Sequence, residues 1–184
     1  MDVVGQFRPK KCVTNNKEYT MKKQGFTLIE LMVVIVIMGI LAAVAVPKLF
    51  GMIAKSKASE IGPAAGEYVK LQDAFVSESG INYGSWKMIG YKMETTNNVF
   101  TYSEEKDLSG SQETAELGSA EDVWKATPKA ALNDCETTDN WVLQIEAAQG
   151  NNGAAYNAIV SSTDCNVLVP GFGKLDKTGA ATVN

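Results

Sequence analysis

The chain has 184 residues, of which 45% are hydrophobic and 21% charged, so its composition and length suit one ordinary globular domain. It contains no histidine, which excludes the Ser-His-Asp triad, the Cys-His dyad and every histidine-ligated metal site. The net charge of −4 is divided into +4 over residues 1–25 and −8 over the remainder. An acidic body disfavours nonspecific nucleic-acid binding, which needs Lys and Arg to neutralise phosphates.

An uncharged apolar segment runs from Leu31 to Pro47, directly after the basic start. When Phe26 to Glu30 are added, the segment has 22 residues and one carboxylate. As a helix rising ~1.5 Å per residue it would measure about 33 Å, enough to cross a hydrocarbon core of about 30 Å. Basic residues before such a segment indicate that this end stays in the cytoplasm. The sequence therefore predicts a membrane-spanning helix.

Glu30 is the unusual residue of this segment. A carboxylate inside a bilayer costs of the order of 2–4 kcal/mol on insertion scales, so a charged partner is one expectation. The other interpretation is that Glu30, five residues into the run, lies near the headgroups and reaches water. Position alone does not separate these two interpretations.

Residues 22–30 read Lys-Lys-Gln-Gly-Phe-Thr-Leu-Ile-Glu. This string, followed by the long apolar run, resembles the class III signal of type IV pilins and their pseudopilin relatives. The resemblance extends to Pro47 and includes Gly39. It implies that a prepilin peptidase cleaves between Gly25 and Phe26 and methylates the new amine of Phe26.

The same resemblance assigns an assembly role to Glu30, whose counterpart in the family is thought to pair with the N-terminal amine of a neighbouring subunit. In a bilayer or fibre core such a pair relieves two buried charges that would each be costly alone. Gly39 and Pro47 are the further assembly positions that match the family. Small residues at 42, 43 and 45 permit close approach of helices.

The expected organisation has three parts. Residues 1–25 form a leader, within which 1–20 are an upstream extension or an incorrectly assigned start, because Met21 begins a complete short leader. Residues 26–50 form the transmembrane and filament-core helix. Residues 51–184 form a globular head that includes the second half of the helix and a disulfide-bounded C-terminal region.

A secretory signal peptide is the rival interpretation, because Ala42-Ala43-Val44-Ala45 resembles a small-residue cleavage site. Cleavage there would release a soluble binding domain beginning near Val46 or Pro47. The apolar run is long for a signal peptide, and Glu30 would then serve no purpose.

Beyond the apolar run, three- and four-residue spacings predict an amphipathic helix that ends at Ser79-Gly80. Its predicted core-facing stripe is Ile61, Ala64, Ala65, Tyr68, Leu71 and Phe75. Prolines at 47 and 63 are expected to bend or loosen it. Short β-like runs follow, which makes the architecture α+β, with a long spine helix on a small antiparallel sheet. Residues 103–121 are polar and acidic and are expected to form a surface loop. The expected strands are Trp86–Met93, Val99–Ser103, Val123–Ala130, Trp141–Ala147 and Tyr156–Ser161.

Removal of residues 1–25 takes away Cys12 and leaves Cys135 and Cys165. An even pair in an exported domain predicts a disulfide, and many pilins carry such a bridge near the C-terminus. The alternative is two free buried thiols. Asp134, Glu136 and Asp139 lie beside Cys135 without the spacing or central glycine of an EF-hand, so they predict a solvated turn rather than a metal site.

The resulting hypothesis is a structural subunit without catalysis and without a cofactor. As a prepilin it would reside in the inner membrane, and after cleavage it would form a homo-oligomeric helical filament at the cell surface. The implied partners are prepilin peptidase and an inner-membrane assembly platform with its ATPase; no specific nucleic acid is predicted. The alternative within the family is a major pseudopilin of type II secretion, against which the cysteine pair and a mature length of 159 residues count.

Overall fold

The computed structural model describes residues 25–94, 96–108, 113–150 and 153–177, and the backbone of 182–183. Residues 1–24 of the predicted leader, among them Cys12, lie outside the described residues. The chain divides into two compact units, residues 1–42 and 43–184. Helix α1, Leu28–Ala58, begins in the first unit and ends in the second.

The long N-terminal helix predicted from the sequence is present and is interrupted once, next to Pro63, where a bend or loosening was expected. α1 ends at Ala58, and α2 runs from Ile61 to Ser79 after a two-residue turn. The interruption has a local cause, because Pro63 has no N–H to donate to the carbonyl of Ser59 one turn earlier. Pro47, by contrast, lies inside α1 without ending it.

The face of α2 toward the core is the predicted amphipathic stripe, slightly rotated. Ile61, Ala65 and Tyr68 are fully buried, and so is Gln72, a polar residue that hydrophobic periodicity does not select. The helix ends where expected, with Gly80 at φ +86° donating its N–H to the carbonyl of Val76. Glycine adopts a positive φ without the steric cost that a side chain would add.

The strands form two sheets, one of two strands and one of five. The strands are β1 Asn82–Gly84, β2 Phe100–Ser103, β3 Thr114–Glu116, β4 Glu121–Pro128, β5 Trp141–Ala147, β6 Ala154–Val160 and β7 Thr182–Val183. In the small sheet β1 pairs with β3, and in the large sheet the order is β2-β4-β5-β6-β7. All pairs are antiparallel except β6 with β7. A short helix α3, Thr163–Leu168, and a 3-10 helix, Phe172–Leu175, lie between β6 and β7.

The core contains aromatic rings from both helix α2 and the large sheet, among them Trp124, Trp141 and Phe100, all fully buried. A hydrogen-bonded chain crosses this core: the indole N–H of Trp124 donates to the hydroxyl of Tyr91 at 3.0 Å, and that hydroxyl donates to the carbonyl of Ala64 at 3.1 Å. Burial raises the pKa of Tyr91 to about 12, so its proton stays in place. These two hydrogen bonds link α2 to the large sheet through Tyr91.

The α+β architecture predicted from the sequence is confirmed, and one predicted strand is wrong. Residues 86–90 form turns, in which Ile89 donates its N–H to the carbonyl of Ser85 and Tyr91 to that of Trp86. Gly90 has φ +72°, which breaks an extended conformation. The segment predicted to be only a surface loop, residues 103–121, also contains β3.

Candidate assembly and processing site

The predicted processing residues lie directly before α1. Gly25, Phe26 and Thr27 are outside the helix and exposed, and the helix begins at Leu28. The side chain of Phe26 is 89% exposed. The bond between Gly25 and Phe26 is therefore part of an exposed segment outside the helix, and such segments are the usual sites of proteolytic cleavage.

Thr27 and Glu30 form a capping box at the start of α1. The carboxylate Oε2 of Glu30 accepts the N–H of Thr27 at 2.8 Å and its hydroxyl at 2.9 Å. The N–H of Glu30 in turn donates to the hydroxyl oxygen of Thr27 at 3.3 Å. These bonds satisfy donors that a helix start leaves without intrahelical partners. Sequence reasoning had selected Glu30 and missed Thr27, although Thr-x-x-Glu before an apolar run is the pattern of this motif.

The first 23 residues of α1 present apolar side chains on every side. Every residue from 25 to 50 is exposed in the single chain, including Leu28 at 87% and Val44 at 73%. Among the described residues, one helical region, beginning at Leu28, is long and apolar enough by length and composition to cross a membrane. An uncovered apolar surface of this extent requires lipid or other protein around it.

Gly39 and Pro47, the other two predicted assembly residues, are both inside this exposed part of α1. A Cβ placed on Gly39 would meet no atom within 4 Å, so no packing within the single chain explains the glycine. Pro47 lacks the N–H that would close the helical bond to Ala43, which leaves that carbonyl without its usual donor.

Cys135 and Cys165 are bonded as a disulfide, and both residues are buried. Cys135 closes a tight turn in which its N–H and carbonyl exchange hydrogen bonds with Leu132. Cys165 lies in α3, whose N-cap Ser162 accepts the N–H of Cys165 at 3.3 Å. The bridge therefore attaches that turn to α3.

One of the acidic residues beside the disulfide, Asp139, is hydrogen-bonded to its immediate surroundings. Asp139 accepts the N–H of Glu136 at 2.9 Å and the hydroxyl of Ser161 at 3.1 Å, while Asp134 and Glu136 are exposed. Ligand atoms of Asp139 and the two cysteines lie within 4.8 Å of one another. Because both sulfurs are in the disulfide, neither can become the thiolate that binds metals.

Comparisons with known proteins agree with this geometry. Residues 20–46 match the family described as the prokaryotic N-terminal methylation motif. The chain is 30% identical over 151 residues to the type IV major fimbrial protein FimA of Dichelobacter nodosus, covering 77% of this chain and 78% of FimA. The chain belongs to the type IV pilin family.

Two other relatives match this pilin over a smaller share of its length. The type IV major pilin protein PilE1 of Neisseria gonorrhoeae is 48% identical over 64 residues, which are 35% of this chain and 36% of PilE1. The type IV major pilin protein PilA of Myxococcus xanthus is 40% identical over 76 residues, which are 41% of this chain and 34% of PilA. The chain thus spans about a third of the length of these two. Comparison with solved structures returned no match.

Proposed function

We propose that this chain is a prepilin whose mature form polymerises through α1 into an extracellular type IV pilus. The observation that carries the proposal is the continuous exposed apolar surface of residues 26–50, placed directly after the predicted cleavage bond. In a bilayer lipid covers this surface. In a fibre the same helices of other subunits replace the lipid.

The processing step is hydrolysis of the peptide bond between Gly25 and Phe26 by a prepilin peptidase, followed by methylation of the Phe26 amine. Residues 1–25 are the leader in this proposal, 26–50 the membrane and fibre-core segment, and 51–184 the head. An inner-membrane assembly platform and its ATPase then transfer the subunit from the bilayer to the growing fibre at the cell surface.

Glu30 supports ordered assembly in this proposal. The capping box uses Oε2, and both of its described bonds come from Thr27 of the same chain. The second carboxylate oxygen, Oε1, is assigned to the Phe26 amine of a neighbouring subunit. A subunit inserted out of place would leave both charges unpaired in an apolar core, a costly arrangement.

The chain has a structural rather than a catalytic role in this proposal. The relatives are described as major pilins and fimbrial proteins, which favours the pilus over the pseudopilus of type II secretion. The disulfide of the head also suits a protein that functions outside the cytoplasm.

The test is intact mass together with N-terminal sequencing of the protein recovered from membranes and from sheared cell surfaces. We expect methylated Phe26 as the first residue of the sheared material, with the mass lowered by two hydrogens for the disulfide. An N-terminus near Val46 or Pro47 would mean that a signal peptide had been removed. The filament proposal would then be wrong.

A further inference from the structure

A groove of about 320 Å³ lies along one flank of α1 within the C-terminal unit. Gly51 and Lys55 line its helix side. Across from them are Asp134 of the disulfide-bonded turn and Asp164 and Val167 of α3. Both carboxylates are exposed, and the side chain of Val167 is 66% exposed.

The groove combines negative charge with an apolar wall. Two carboxylates face one ammonium group, so the lining has an excess of one negative charge. An exposed valine beside two exposed carboxylates fits an occupant that offers both an apolar side chain and a cation. Charge complementarity of this kind orients two surfaces more than it adds affinity.

The other flank of α1 has both apolar side chains and a cation. Phe50, Ile53 and Lys57 line a second cleft, of about 120 Å³, on the far side of the disulfide-bonded turn. Phe50 is 58% exposed and Ile53 43% exposed. Lys57 follows Lys55 by two positions, which is about 200° around a helix, so the two lysines point to different flanks.

The charges of this stretch of α1 are all of one sign. Between residues 31 and 58 the sequence has Lys48, Lys55 and Lys57 and no acidic residue. Glu60, three positions after Lys57, accepts hydrogen bonds from the N–H of Phe100 and the hydroxyl of Tyr102. The other exposed residues of the Lys57 flank, Phe50 and Ile53, are apolar. The flank is therefore complementary, in charge and in polarity, to the groove with Asp134 and Asp164.

We propose that the groove of one copy of this chain receives the flank formed by Phe50, Ile53 and Lys57 of a second copy. The proposal rests on the proposed function and specifies how heads contact helices in the fibre. Because the two surfaces are different and lie on different flanks of one helix, the contact is heterologous. Repetition of a heterologous contact that does not close into a ring generates a helical filament.

The first experiment is photo-crosslinking from the groove. Val167 is replaced by p-benzoylphenylalanine in the full chain, in fibres assembled from a mixture of light and ¹⁵N-labelled subunits. We expect mixed-isotope crosslinks between position 167 and residues 48–58 of another copy. Crosslinks only to other parts of the chain, or to a different protein, would overturn the proposal.

The second experiment is a charge exchange. Asp164→Lys and Lys57→Glu each place like charges together, so each alone should reduce sheared fibres at least about tenfold, while the combined variant should restore them to within about twofold. Glu78→Lys is the matched control, because Glu78 is exposed, lies in α2 and lines neither cleft. Full fibre yield from both single variants would contradict the contact, as would failure of the combined variant to restore it.

The two experiments also separate this inference from the proposed function. If the unaltered chain yields no fibres and no processed Phe26, the proposed function is wrong. If it yields processed fibres whose crosslinks avoid residues 48–58, the pilin function stands and the docking of the groove is wrong.

Discussion

At the scale of single residues, Gln72 is a fully buried polar residue of the head whose hydrogen bonds are all made within the core. Its fully buried amide donates to the carbonyl of Gly84 at 2.9 Å and accepts the N–H of Gly84 at 3.2 Å. It also donates to the hydroxyl of Tyr68 at 3.1 Å. One side chain thus joins α2 to the edge strand β1.

We predict that Gln72→Leu lowers the free energy of unfolding by about 1–3 kcal/mol, because it leaves the buried backbone groups of Gly84 without their partner. The measurement is denaturant unfolding of the full chain in detergent, followed by tryptophan fluorescence. Gln149→Leu, at an exposed glutamine, is the control and should change the unfolding midpoint little. Equal effects at both positions would show that the amide bonds of Gln72 add nothing.

Glu121 provides a second residue-scale prediction, on pH. Its carboxylate accepts hydrogen bonds from Lys106 at 2.6 Å and from the hydroxyl of Tyr83 at 2.7 Å, and these bonds, that of Lys106 foremost, lower the pKa of Glu121. A pKa that is lower in the folded state means that ionised Glu121 stabilises the fold near neutral pH. This stabilisation is lost as the pH falls through the folded pKa.

Glu121→Gln is therefore expected to lower the free energy of unfolding near neutral pH by about 1 kcal/mol, a small value because the pair is partly exposed. At about pH 3, where the carboxylate of the unfolded chain is protonated, the difference from the unaltered chain should shrink. Glu78→Gln should show little difference at either pH. A Glu121→Gln deficit that is constant with pH would contradict the role of the charge.

Polar contacts such as these could not be predicted from the sequence, for a physical reason. Hydrophobic periodicity placed Ile61, Ala65 and Tyr68 on the core face of α2, and all three are buried there. It cannot select Gln72, because the partner of that amide is a backbone group 12 positions away. Thr27 is different, since its bonds are to Glu30, three positions away, and the Thr-x-x-Glu pattern could have predicted them.

At the scale of elements, the strands defined by local sequence patterns were predicted correctly, and the one that depends on contacts distant in sequence was not. β5 has the predicted bounds, and β2, β4 and β6 each lie within two residues of theirs, because alternation and flanking turns define them. The segment 86–93 has strand-like composition, but residues 86–90 form turns and 91–93 have no regular structure. The turns let Trp86 and Tyr91 pack edge to face with ring centroids 4.8 Å apart. Tyr91 also contacts Tyr68 of α2 and Trp124 of β4, which are distant in the sequence.

The disulfide gives the prediction at this scale. It closes a loop between residues 30 positions apart and attaches the Leu132–Cys135 turn to α3. Its loss should lower the free energy of unfolding by about 3.5 kcal/mol in the chain-entropy account. Unfolding with and without reductant measures this, and the double variant Cys135→Ala/Cys165→Ala should be insensitive to reductant. A midpoint unchanged by reductant in the unaltered mature chain would contradict the prediction.

At the scale of the whole molecule, Glu30 has two possible roles that a matched pair of variants separates. Glu30→Ala removes both the capping box and the proposed pairing with a neighbouring amine. Thr27→Val removes the hydroxyl bonds of the capping box and leaves the carboxylate. Loss of a helix cap costs only about 1 kcal/mol.

We predict that Glu30→Ala is inserted and cleaved normally but yields few sheared fibres, while Thr27→Val yields fibres close to the normal amount. Immunoblots of membranes and of the sheared fraction, with mass spectrometry of the N-terminus, measure insertion, cleavage and assembly separately. Equal fibre loss in both variants would assign the role of Glu30 to helix capping within one subunit.

The exposed first half of α1 also determines where this protein can exist. A folded subunit whose residues 26–50 are uncovered has no stable state in water, since burial of apolar surface contributes about 25 cal/mol per Å². Under the proposed function, every subunit therefore passes directly between bilayer and fibre. The membrane then acts as a reservoir of fixed size, so a cell lengthens its fibres only by depleting that reservoir. A fibre that disassembles at its base returns its subunits to the membrane for reuse without new synthesis.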